Sequence, residues 1–225
     1  MLIKRDELPS KGWKTDLPET FEMLPFSGKH ARNVSEAIEK ESMMPLMEAL
    51  IECLPDIDAM QISIQDAYFL LLIQRLKDSD VSPLAFEWQC AKPLYQYPDG
   101  YYIELQDRPS IGVNPCSNWT HTILDKSSLS TVYLNEHSDR FDIPRLKNFE
   151  EANQSRFDWI AAHLNSDHRA AINELEHQED LVLFHEIVEW VKKSQHGISS
   201  NVICTCSSCN RETQMVWNFT AQAFA

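Results

Sequence analysis

Glycine is scarce in this chain, five residues in 225. No G-x-x-x-x-G-K-[ST] and no G-x-G-x-x-G occurs, which excludes the glycine-rich loops that cradle phosphates. A G-x-S-x-G nucleophile elbow is also missing. Basic charge is in short supply: 20 Lys and Arg stand against 34 Asp and Glu, a net charge of −14. A sequence-independent nucleic-acid binder needs a basic footprint, so that class is disfavoured. The balance suits a soluble protein, or one that docks on a basic partner. Long apolar runs are absent too. The longest, residues 67–73, is far short of the roughly 18 needed for a membrane span. The opening Met1-Leu2-Ile3-Lys4-Arg5-Asp6 lacks the apolar stretch of a secretory leader, so a reducing cytoplasm is expected. The acids Asp78, Asp80, Asp99 and Asp107 lack EF-hand spacing.

What remains is ordinary globular chemistry, with 43% apolar and 24% charged residues. The length allows one sizeable domain or two small ones. Residues 1–30 hold Pro9, Pro18 and Pro25, which forbid a helix, and read as an extended arm, with a hairpin turn at Ser10-Lys11-Gly12 as the alternative. Phe21 and Met23 carry a weak strand signal. Residues 31–54 read as helix, split in two by Pro45. Ser63-Ile64-Gln65-Asp66 is a helix start, with a hydroxyl at the N-cap and an acid three residues on. The helix that follows is apolar nearly all round and should be the central buried one. Strands are expected at residues 84–90, 101–105 and 130–134, and helices at 148–164, 166–177 and 180–193, the last closed by Gly197. Short strands at 201–203 and 214–219 flank the last cysteines. The fold class that follows is α+β: a mainly helical core, a small antiparallel zinc-ribbon-like β unit and an extended N-terminal arm. After the arm, residues 31–225 form one domain. It is helical over 31–83, a β unit over 84–135 with a loop insertion at 91–115, helical again over 136–197, and a cysteine knuckle with a final β segment over 198–225.

The cysteines carry the strongest chemical signal. Three of the six fall within Cys204-Thr205-Cys206-Ser207-Ser208-Cys209. Cys206 and Cys209 form a C-x-x-C pair, which can hold half of a tetrahedral Zn²⁺ site. The other half would be Cys90, at a strand end, and Cys116, after the irregular loop. Cys204 is the substitute if the turn shifts by two, and His121 or His196 could replace one thiolate. Free thiols or disulfides are the alternatives, and Cys53 reads as a core thiol. Elsewhere, His185-Glu186-Ile187-Val188-Glu189 approaches H-E-x-x-H but ends in Glu. It offers a zinc-hydrolase alternative, against a plain solvated helix face. A zinc-ribbon nucleic-acid module is the other alternative. The cluster Trp88, Tyr95, Tyr97, Tyr101 and Tyr102 is either a binding surface or loop cover.

The order of these features resembles the baseplate hub proteins of T-even-type contractile-tailed phages. Leu8-Pro9-Ser10-Lys11-Gly12 resembles the family's opening Leu-Pro-Ser-x-Gly. The helix from Asp66 to Leu76 resembles its apolar helix ending in Arg, here Arg75. A strand leads into a cysteine, Cys90. His196-Gly197 precedes a strand, the Cys206 and Cys209 pair and a final segment ending in Phe224. The family's first cysteine pair is close-spaced, whereas here Cys116 follows Cys90 much later, so 91–115 looks like an insertion. The resemblance implies a structural or assembly protein of the tail baseplate in the phage virion. It implies tail-protein partners, no enzymatic activity and no small-molecule substrate.

Overall fold

The computed structural model describes residues 1–77, 83–90, 94–96, 102–104, 118–124, 130–152, 154–164, 168–176 and 181–224. Strands β1 (Leu2–Lys4) and β2 (Thr20–Glu22) pair antiparallel, with Ile3 opposite Phe21. Both side chains point inward, and Leu8, Leu17 and Met23 join them in the helical core. The extended arm expected for residues 1–30 is therefore corrected to a packed hairpin. Proline forbids helix there, but it does not forbid burial of the apolar residues between. Gly12, at φ +68, turns the intervening loop. A Cβ at this position would sit 2.7 Å from the Arg5 side chain.

Helices α1 (Ala31–Glu39) and α2 (Met44–Glu52) are separate, with Pro45 in the first turn of α2, where its missing N–H costs nothing. Helix α3 (Ile64–Lys77) is the centre of the molecule. Ser63 caps it, its Oγ accepting from the Asp66 N–H at 3.0 Å. Residues Phe69 to Arg75 are all buried, so both polar and apolar faces lie under other elements. The helix expected over 148–164 divides into α4 (Phe149–Ala152) and α5 (Arg156–Ala161). The division has a local cause: Ser155 Oγ accepts from the Asp158 N–H and starts a new helix. Helices α6 (His168–Glu176) and α7 (Val182–Lys193) follow. Trp13, Phe141, Ile143, Leu183, Ile187 and Trp190 are among the side chains of this second core.

The β unit consists of antiparallel pairs. Strand β3 (Ala85–Gln89) pairs with β6 (Trp119–Ile123), and within the expected insertion β4 (Leu94–Gln96) pairs with β5 (Tyr102–Glu104). Short strands β7 (Thr131–Val132) and β8 (Gly197–Ile198) tie the unit to the helices. Strands β9 (Asn201–Thr205) and β10 (Glu212–Val216) form the last hairpin, Thr205 opposite Glu212. The expected C-cap Gly197 instead opens β8, while Ser194 closes α7. The β3–β6 and β9–β10 ribbons share a third, small core of Trp88, Cys90, Leu124, Val202, Cys204 and Cys206. Tyr97 and Tyr101 of the expected aromatic surface lie outside the described residues. Trp88 is buried, donating from Nε1 to Thr122 Oγ1 at 2.9 Å.

Candidate metal centre

The hairpin β9–β10 turns through Cys206-Ser207-Ser208-Cys209-Asn210-Arg211. Two backbone bonds close the turn on itself, Cys206 N–H to Arg211 O and Asn210 N–H to Cys206 O, both at 2.9 Å. Asn210 adopts φ +56, a left-handed conformation that asparagine tolerates better than most residues. Strand alternation places Val202 and Cys204 on the buried face of β9, and Cys206 is buried at its end. Across from it, β3 runs out at Gln89 and the Cys90 N–H bonds Asn118 O at 3.0 Å.

These two chain ends bring three thiols together. The Sγ atoms of Cys90, Cys206 and Cys209 all lie within 4.8 Å of one another, and Cys90 Sγ is 3.5 Å from Cys209 Sγ. A tetrahedral ion with sulfur ligands at about 2.3 Å holds them about 3.8 Å apart. The trio thus has the spacing of a metal-binding group. At 3.5 Å, Cys90 and Cys209 are well beyond the ~2.05 Å of a disulfide bond. Surrounding groups hold the trio in place. Thr120 Oγ1 donates to Cys206 Sγ at 3.5 Å, and the buried Arg211 donates from a terminal guanidinium nitrogen to Cys90 O at 3.3 Å. That guanidinium places a positive charge beside a cluster that becomes anionic on losing its thiol protons. Residues around the ligands commonly fix their orientation in this way.

Of the residues expected at this site, Cys90, Cys206 and Cys209 meet, while Cys116 lies outside the described residues. The substitutes do not join them. Cys204 Sγ turns to Val202 O at 3.9 Å, and burial pushes its thiol up, with the Thr122 hydrogen bond opposing. His121 is exposed and faces Glu87 at 3.9 Å. His196 spans Ser194 O at 2.7 Å and Ser63 Oγ at 3.3 Å, between α7 and the start of α3. Cys53 is a core thiol under Pro25 O and His30, raised by burial. Thr120 and Arg211 escape a reading of the sequence. The local hint is Asn210, whose tolerance of positive φ marks a tight turn after the second knuckle cysteine.

The His185, Glu186 and Glu189 side chains all face solvent on α7. Glu186 pairs with Arg140 and Glu189 with Lys192 at 2.6 Å. The two carboxylates are thus engaged by separate cations on an exposed face.

Compared with protein-family models, with curated proteins and with solved structures, the chain matches none.

Proposed function

We propose that this protein is a non-enzymatic structural or assembly component of a contractile-tail baseplate, in its hub region, working through contacts with other tail proteins. One observation carries the reading: the residues behind the family resemblance meet one another around α3 and hold shape. Ser10 gives both its N–H, at 2.8 Å, and its hydroxyl to the Asp66 carboxylate at the start of α3. Gly12 N–H returns to Ser10 Oγ at 3.1 Å. Arg75, at the other end of α3, donates from Nε to Ala223 O, and Phe224 stacks on Phe26. Gly197, at φ +115, lets β8 pass against Gln65, where a Cβ would meet Oε1 at 2.7 Å. Each matching motif serves as a joint between segments, which suits a protein whose output is a rigid surface.

The cysteine trio fits the same reading as one side of a closed, zinc-ribbon-like structural site. Zn²⁺ prefers four such ligands, and Cys116 is the proposed fourth. Its place in the sequence supports this, because Asn118, two residues later, pairs with Cys90 across the β3–β6 ribbon. Zn²⁺ here would staple the two ribbons together and supply no reaction.

The experiment is disruption of the reading frame in a contractile-tailed phage that encodes this chain. Lysates should contain filled heads without tails, and wild-type protein from a plasmid should restore complete particles. Normal, infectious particles formed without the chain would remove the baseplate reading. Metal analysis of the purified chain should give one zinc per molecule, lost in Cys206→Ser. A metal-free wild-type chain would remove the staple.

A further inference from the structure

The three thiols of the metal centre differ in access. Cys90 and Cys206 are buried, and Cys209 is partly exposed at the tip of the knuckle. A dissolved oxidant therefore meets Cys209 first, since oxidation of thiolates follows exposure. Cys90 Sγ lies 3.5 Å from Cys209 Sγ. Closing a disulfide between them needs a movement of about 1.5 Å. Cys206 is held by the turn itself. It lies in the turn closed by its own N–H and C=O, and its sulfur accepts from Thr120 Oγ1.

We propose that Cys209 is an oxidation site and Cys90 its resolving thiol, so that a peroxide converts the pair to a disulfide and expels the metal. This rests on the zinc reading above. The Cys209 thiolate attacks one peroxide oxygen and displaces hydroxide, leaving a sulfenic acid. The Cys90 thiolate then attacks the Cys209 sulfur and displaces the second hydroxide. In sum, two thiolates, one hydrogen peroxide and two protons become one disulfide and two waters. Two electrons pass from sulfur to peroxide, and Zn²⁺ leaves because two of its ligands are gone. The new bond spans the β3 end and the β9–β10 turn, so it keeps the ribbons joined as the ion departs.

The test treats the full-length, zinc-loaded chain with hydrogen peroxide, follows free zinc with a colorimetric chelator and maps disulfides in non-reducing peptide digests. The expected result is release of one zinc per chain together with a Cys90–Cys209 link, both reversed by dithiothreitol and added zinc. Cys206→Ser, which keeps both reacting sulfurs, should form the same link without holding metal. A Cys206–Cys209 link, a link to another cysteine, or sulfinic acid with no link would overturn the proposal and leave the zinc reading intact. Zinc retained through complete oxidation of Cys209 would overturn it as well. A chain purified without zinc that still forms the Cys90–Cys209 link would remove the zinc reading and uphold the pairing.

Discussion

His163 is buried on α5's trailing turn, with Nδ1 against Trp159 O at 2.8 Å. Burial, only partly opposed by that hydrogen bond, lowers its pKa from 6.5 to about 4. A depressed histidine favours the folded state at neutral pH. Its contribution is fully present above 6.5 and is lost as pH falls toward about 4, a loss of about 3 kcal/mol. Asp66 acts in the opposite sense. Burial raises its pKa above 3.8, against the Ser10 hydrogen bonds, so its contribution is present at low pH and declines as pH rises. Denaturant unfolding at a series of pH values should separate the two. His163→Asn should flatten the loss of stability between pH 6.5 and 4 by about 3 kcal/mol. An unchanged slope in that window would mean that His163 titrates alike in both states.

Among the elements, the N-terminal hairpin departs most from its appearance in the sequence. Its prolines and Lys11-Gly12 turn signal a segment without α-helix, and β1 and β2 form there with short 3-10 turns at Arg5–Glu7 and Gly28–His30. Its burial depends on partners far along the chain. Leu134 N–H bonds Pro9 O at 2.8 Å, and Ser10 reaches Asp66. Ile3 and Leu8 are buried in the first core. Burying each such side chain contributes about 1.5–3 kcal/mol. Removing residues 1–12 would also leave the Asp66 carboxylate without its Ser10 donors in a dry site. The truncated chain should therefore lose most of a typical ~5–15 kcal/mol stability and unfold cooperatively at far lower urea, or not fold at all. A truncated chain with the wild-type urea midpoint would show that the hairpin is a dispensable arm after all.

At the scale of the whole molecule, the described residues form three hydrophobic clusters that set an order of stability. The first two are built from large aliphatic and aromatic side chains on α1–α3 and α5–α7. Among the described residues the third is the smallest, and cysteines make up half of its six buried residues. On the zinc proposal, this cluster is the one that a metal staple would hold together. Stripping metal with a chelator should speed amide hydrogen exchange in β3, β6, β9 and β10 while α3 stays protected, as hydrogen-exchange mass spectrometry would record. Uniform protection before and after chelation would show that the third core stands by itself. The net charge of −14 belongs to this scale too. It accompanies the proposed contact role, because an acidic body is steered toward basic partners at low ionic strength.

The sequence by itself determined the features that act within a few residues. Ser63 and Asp66 start α3, Pro45 separates α1 from α2, and the C-x-x-C spacing makes the knuckle. Each depends on local hydrogen bonds or steric limits that any surrounding fold must respect. Tertiary structure decided which distant groups meet. Cys90 faces Cys209 across 119 positions of chain, and Ser10 faces Asp66 across 56. Neither pairing has a periodic signature, because both arise only when separate elements bury their apolar faces together. The same packing turned proline-rich residues into a core hairpin. The knuckle and Cys90 were therefore legible as candidate ligands, and the fold brought them together and set Thr120 and Arg211 around them.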